Sequence, residues 1–99
     1  MERDVITQLK SKTADVFVKL GFIPTYIGLE KTYEYKGVYH KLTFLSGLGG
    51  MDFFVIECAS SYDDACKNVY EDCDLLPLSW GEKELLIQFE NILIEYYMN

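Results

Sequence analysis

Two runs of alternating residues meet at Lys36-Gly37, and they leave the middle of this chain few alternatives to a β-hairpin. In Leu29 to Tyr35 the odd positions hold Leu29, Lys31, Tyr33 and Tyr35, and in Val38 to Leu45 the even positions hold Val38, His40, Leu42 and Phe44. A tight turn at Lys36-Gly37 pairs Tyr35 with Val38, Tyr33 with His40, Lys31 with Leu42 and Leu29 with Phe44. Successive strand residues point to opposite faces. This register therefore collects the apolar residues on one face and leaves Glu30, Thr32, Glu34, Tyr39, Lys41 and Thr43 on the other. A slip of one residue would destroy that sorting. Lysine fits poorly at a turn position needing positive φ, so a three-residue turn with a bulge at Gly37 is the alternative.

The flanking segments supply the rest of an α+β fold. Val5, Ile6, Leu9, Thr13, Val16, Phe17 and Leu20 recur at helical spacing, which predicts a helix from about Glu2 to Leu20. Glu2 and Asp4 suit the positive end of its dipole, Gly21 is a natural terminator, and Pro24 prevents resumption. Ser46 to Met51 is a glycine-rich connection, and Asp52 to Ala59 reads as a third strand. Phe53 and Val55 point one way, and Phe54, Ile56 and Cys58 the other. A strand apolar on both faces is covered on both sides or touches another subunit.

A short helix follows, capped by Ser60 or Ser61, with Asp63 and Asp64 in its first turn and Tyr62, Ala65, Cys66, Val69 and Tyr70 as its apolar face. Glu71 to Leu78 then reads as an acidic loop. Ser79-Trp80-Gly81-Glu82 matches a capping box, which predicts a final helix with Ser79 as N-cap and Glu82 at the third position. Leu85, Leu86, Phe89, Ile92, Leu93, Tyr96 and Tyr97 form its broad apolar stripe. Ile87 and Ile94 lie on nearly the opposite side, which suggests a second covering surface. The expected architecture is one domain over residues 1–99. It has an N-terminal helix, a three-stranded antiparallel meander, a short helix and a long C-terminal helix, with the first and last helices on one sheet face.

Charge narrows the function. Met1 to Lys41 carry seven basic and five acidic residues, whereas Leu42 to Asn99 carry two basic and eleven acidic, for a net charge of −7 overall. So lopsided a field steers basic partners and repels nucleic acid. Eight tyrosines could stack bases, but the interleaved cations that neutralise phosphate are missing. The N-terminus lacks the apolar run of a signal peptide, and no apolar stretch has the length of a bilayer span, so no membrane association and a cytoplasmic location are expected. Three cysteines, odd in number and without a C-x-x-C pair, read as small buried hydrophobes in a reducing compartment.

No constellation for catalysis stands out. His40 faces inward opposite Tyr33 without a recognisable nucleophile or orienting carboxylate, which favours a structural role. Cys58, Cys66 and Cys73 are spaced too widely for a zinc site, and the Glu71-Asp72-Cys73-Asp74 run lacks the pattern of a calcium loop, so neither metal nor cofactor is expected. Ser46-Gly47-Leu48-Gly49-Gly50 joins two strands and carries no lysine, unlike a phosphate cradle. Trp80 has two readings: it closes the core around Leu75, Leu76 and Leu78, or it is an interface anchor flanked by Glu71, Asp72 and Asp74.

The leading expectation is a small acidic protein-binding module of inhibitor or immunity type, not an enzyme, that occludes a basic protein. Its contact residues would be Asp63, Asp64, Glu71, Asp72, Asp74 and Trp80. The alternative is a homo-oligomeric structural or scaffold protein joined through Ile87 and Ile94. A third reading, a small ligand-binding domain, needs a pocket containing His40, Glu57 or paired carboxylates.

Overall fold

The apolar stripe at the start of the chain folds as a helix, α1 (Arg3–Lys19), in a computed structural model that describes residues 3–98. Glu2, expected at its start, lies outside the described residues. The fully buried positions are Leu9, Thr13 and Phe17, four residues apart on one line of the helix. The end of α1 is a Schellman motif. Gly21, at φ 98°, donates to the Val18 carbonyl, Phe22 donates to the Phe17 carbonyl at 2.9 Å, and the Phe17 and Phe22 rings meet at 5.1 Å.

The chain then forms a five-stranded antiparallel meander in sequence order, not the three strands expected. The first additional strand is β1 (Ile23–Ile27), which pairs with β2 (Glu30–Tyr35) from Ile23↔Glu34 to Ile27↔Glu30. Pro24 sits in this ladder because β1 is an edge strand, where a missing N–H costs little. Leu29 does not face Phe44: it occupies the two-residue turn Gly28-Leu29 and is fully exposed.

The central hairpin has the expected two-residue turn. Lys36 (φ 52°) and Gly37 (φ 84°) both adopt positive φ, as the primed turn requires. The Glu34 carboxylate steadies it by accepting the Gly37 N–H at 2.9 Å. Strand β3 (Val38–Leu48) pairs with β2 at Tyr35↔Val38, Glu34↔Tyr39 and Tyr33↔His40, and there the ladder ends. The expected Lys31–Leu42 and Leu29–Phe44 pairs do not form. Strand β4 (Met51–Ala59) returns along β3 after a turn at Gly49-Gly50, so most of the expected glycine-rich connection belongs to strands.

Helix α2 (Tyr62–Cys66) is capped by Ser61, whose hydroxyl accepts the Asp64 N–H at 3.1 Å. It ends earlier than Tyr70 because Asn68 turns left-handed at φ 58°. Asn68 donates to the Ala65 carbonyl and Val69 to that of Asp64, a second Schellman motif. The segment read as an acidic loop is the second additional strand, β5 (Glu71–Pro77), paired with β4 from Cys58↔Glu71 to Phe53↔Pro77 with a bulge that leaves Cys73 without a partner.

The capping box does not form. Leu78–Trp80 make a single 3₁₀ turn that buries Leu78, and helix α3 (Glu82–Ile92) starts from Gly81 at φ 85°, with no side-chain cap. The N-cap therefore falls at Gly81, two residues beyond Ser79. A wider π-type turn, Leu93–Tyr97, finishes the element.

Helices α1 and α3 lie on one sheet face, as expected. Leu9 and Phe17 of α1 and Leu85 and Phe89 of α3 meet Tyr33, Phe54, Ile56 and Leu76 of the sheet, together with Leu93. Phe17 stacks on Tyr33 at 4.4 Å and takes the edge of Phe89 at 5.1 Å. Lys12–Glu82 (2.6 Å) and Lys19–Glu90 (2.8 Å) bridge the two helices at the surface. The other sheet face is covered only in part. Val55 and Ala59 are buried, the Tyr62 ring meets Tyr39, and Lys41 lies 4.0 Å over the Tyr70 ring. That division explains why β4 is apolar on both sides.

Candidate functional site

Strand β5 forms an open edge of the sheet, since β4 is its one neighbour. Glu71 and Asp72 are exposed there. Asp74 turns toward the helices, is half-buried, and accepts the Tyr97 hydroxyl at 2.5 Å. At the head of the strand, Asp64 accepts the Ser60 hydroxyl at 3.0 Å and shares with Glu71 the lining of a cavity of about 100 Å³. Asp63 is held by Lys67 at 2.9 Å, one turn along. The structure thus brings Asp63, Asp64, Glu71 and Asp72 to one end of β5.

Trp80 stands at the other end. A strand rises about 3.3 Å per residue, so about 20 Å separates Glu71 from Pro77 and the turn that carries Trp80. The tryptophan is 41% exposed and belongs to no buried cluster, and it lies at the opposite end of β5 from Glu71 and Asp72. Met51, Asp52, Leu78 and Ser79 line a cavity of about 300 Å³ beside it. Between the two ends, Leu45, Asp72, Cys73, Asp74 and Leu75 border a groove of about 460 Å³, with Leu45 and Leu75 exposed. Ile87 and Ile94 lie on the outer side of the C-terminal helix, each nearly half exposed.

The lysines of the first half neutralise only part of the acidic half. Lys12 and Lys19 take Glu82 and Glu90 in the helical layer, whereas Lys41 pairs at 3.0 Å with Glu30 of its own half. Asp52, Glu57, Asp64, Glu71, Asp72 and Asp74 make no salt bridge among the described residues. Five of these lie on β4 and β5, and Asp64 lies beside Glu71. Asp4 and Asp15 on α1, Glu34 on β2 and Glu84 on α3 also make no salt bridge among the described residues, so β4 and β5 carry the densest group of such carboxylates but not all of them.

His40 on β3, Cys58 on β4 and Tyr97 form a polar cluster on the helix side of the sheet. His40 is fully buried, and its Nδ1–H donates to the Tyr33 carbonyl at 3.0 Å, since a carbonyl can only accept. Burial lowers its pKa from the ordinary imidazole value, against the opposing effects of that hydrogen bond and of Glu34. Tyr97 packs edge-on against His40, and its phenol is pushed up by burial and by its bond to Asp74. The Cys58 thiol is likewise pushed up, first by burial and then by the Cys73 thiol, which favours its protonated form. Cys66 and Cys73 are exposed, not buried as expected. Their positions on a five-residue helix and at a bulge give them no core to enter.

One cluster was missed. Lys10, Lys31 and Lys41 line a cavity between α1 and the divergent ends of β2 and β3. The signal was present in Lys31, a charged residue on the inward side of the expected hairpin.

Together these features define an α+β protein with a five-stranded antiparallel meander, two helices on one face and an acidic sheet edge. No protein-family model matches the chain, and neither a curated protein nor a solved structure is detectably similar to it. No helix among the described residues is long and apolar enough to cross a membrane. Among those residues, no three histidine, cysteine or carboxylate side chains gather into a metal-binding set.

Proposed function

We propose that this chain is a small acidic protein-binding module of inhibitor or immunity type, which docks a basic protein partner along β5 and acts by occlusion. The observation that carries this reading is the row of carboxylates without salt bridges on β4 and β5, beside the exposed Leu45, Leu75 and Trp80. In such an interface the carboxylates accelerate encounter, while the apolar groups and Trp80 set the lifetime of the complex. The reading invokes no catalytic group, cofactor or nucleic acid.

The test is capture on the immobilised protein, followed by kinetics with the recovered partner. A basic protein should bind, its association rate should fall with added salt and with Glu71→Gln/Asp72→Asn, and Trp80→Ala should speed dissociation. Binding indifferent to salt and to all three substitutions would refute the proposal. The exposure of Ile87 and Ile94 favours a second reading, a homo-oligomeric scaffold joined through the C-terminal helix. Sedimentation of the pure protein decides that one: a strict monomer at micromolar concentration ends it.

A further inference from the structure

The β2–β3 ladder stops at Tyr33↔His40, although both strands continue beyond it. The remaining residues, Glu30-Lys31 on β2 and Lys41-Leu42 on β3, border a cavity of about 260 Å³ that α1 roofs with Lys10, Thr13, Ala14 and Phe17. Its walls are apolar where Phe17 stacks on Tyr33 and where Leu42 and Ala14 face it. Its charges are three ammonium groups against one carboxylate. Glu30 is committed to Lys41 at 3.0 Å, and Lys41 also donates to Asn68 at 3.3 Å and covers the Tyr70 ring. Lys10 and Lys31 make no salt bridge among the described residues.

Lys36 and Lys83 likewise make no salt bridge among the described residues, but Lys10 and Lys31 share one cavity, where the Lys31 ammonium lies 5.8 Å from the Tyr33 ring centre. Phe17 and Tyr33 give this cavity an aromatic wall, two strands away from the β5 edge. A dry cavity of about 150 Å³ can hold a benzene ring. A volume of about 260 Å³ thus has room for a ring-sized body and one anionic head, and is below the range of drug-sized sites. We propose that this cavity binds a small organic anion, its carboxylate or phosphate head between Lys10 and Lys31 and its apolar body against Phe17, Tyr33 and Leu42. The site is distinct from the β5 edge and does not depend on a protein partner.

The probes are benzoate, benzyl alcohol and inorganic phosphate, titrated separately into the full chain at low salt and followed by NMR. Benzoate should saturably shift the amide and ring resonances of Phe17, Tyr33 and Leu42, and bind at least about tenfold tighter than either control. Phenyl phosphate in place of benzoate distinguishes the two head groups. Because Lys10 and Lys31 are exposed, Lys10→Gln/Lys31→Gln should leave the fold intact and weaken benzoate by about tenfold. Three results would overturn the proposal: no saturable shift with either aromatic anion, equal binding of benzyl alcohol, or benzoate binding unchanged in the double variant. Equal binding of inorganic phosphate would also overturn it, by reducing the site to a patch of positive charge.

Discussion

The Tyr97 hydroxyl donates to the Asp74 carboxylate at 2.5 Å, joining the last turn of the chain to its edge strand. Without this bond Asp74 would turn a charge toward the helices with no donor to meet it. The contact also takes Asp74 out of the set of carboxylates that face a partner freely, leaving Glu71 and Asp72 as the exposed charges of β5.

Removing that hydroxyl should therefore cost stability without touching the exposed acidic surface. A hydrogen bond to a charged group is worth about 1.5–3 kcal/mol, and Tyr97→Phe should lower the unfolding free energy by about 2 kcal/mol. Urea denaturation measures it. Trp80→Ala, at a half-exposed site outside the core cluster, should cost less.

His40 sets a pH dependence of defined sign. Its folded-state pKa lies below the unfolded value of about 6.5, so the unfolded chain binds the proton first as pH falls. The stability contributed by the neutral, buried ring is complete above about pH 6.5 and declines as pH drops from there toward the folded-state pKa. Denaturation midpoints across that window should fall with acidification in the wild type and stay flatter in His40→Gln. Equal slopes would show that another group is responsible.

The central turn holds a lysine in a conformation that asparagine adopts more readily. Lys36 sits at φ 52° beside Gly37, and Asn-Gly is the preferred pair for such a turn. Lys36→Asn should stabilise the protein by about 0.5–1 kcal/mol, on the scale of backbone substitutions that relieve left-handed strain. Thermal unfolding would register it as a higher midpoint.

What the sequence by itself determined is local. Gly21 ends α1, Ser61 starts α2, and Lys36-Gly37 sets the hairpin register, because each depends on backbone geometry and hydrogen bonds within a few residues. The α1 stripe and the apolar faces of β4 were legible for the same reason: side-chain periodicity follows from helix and strand geometry. Tertiary structure decided the rest. Ile23–Ile27 is rich in β-formers but is broken by a proline that only an edge strand tolerates, and Glu71–Pro77 opens with three acidic residues in four, unlike the composition of a strand. Each becomes one because a neighbour, β2 or β4, presents backbone groups that need partners. Burial of Leu78 likewise overrode the Ser79 capping box. The candidate surfaces follow this division. The excess of acid was countable along the chain, but which carboxylates stay without a lysine, Glu71 and Asp72 on the β5 edge among them, depends on the tertiary contacts. The lysine-lined cavity exists only because β2 and β3 part after Tyr33 and His40.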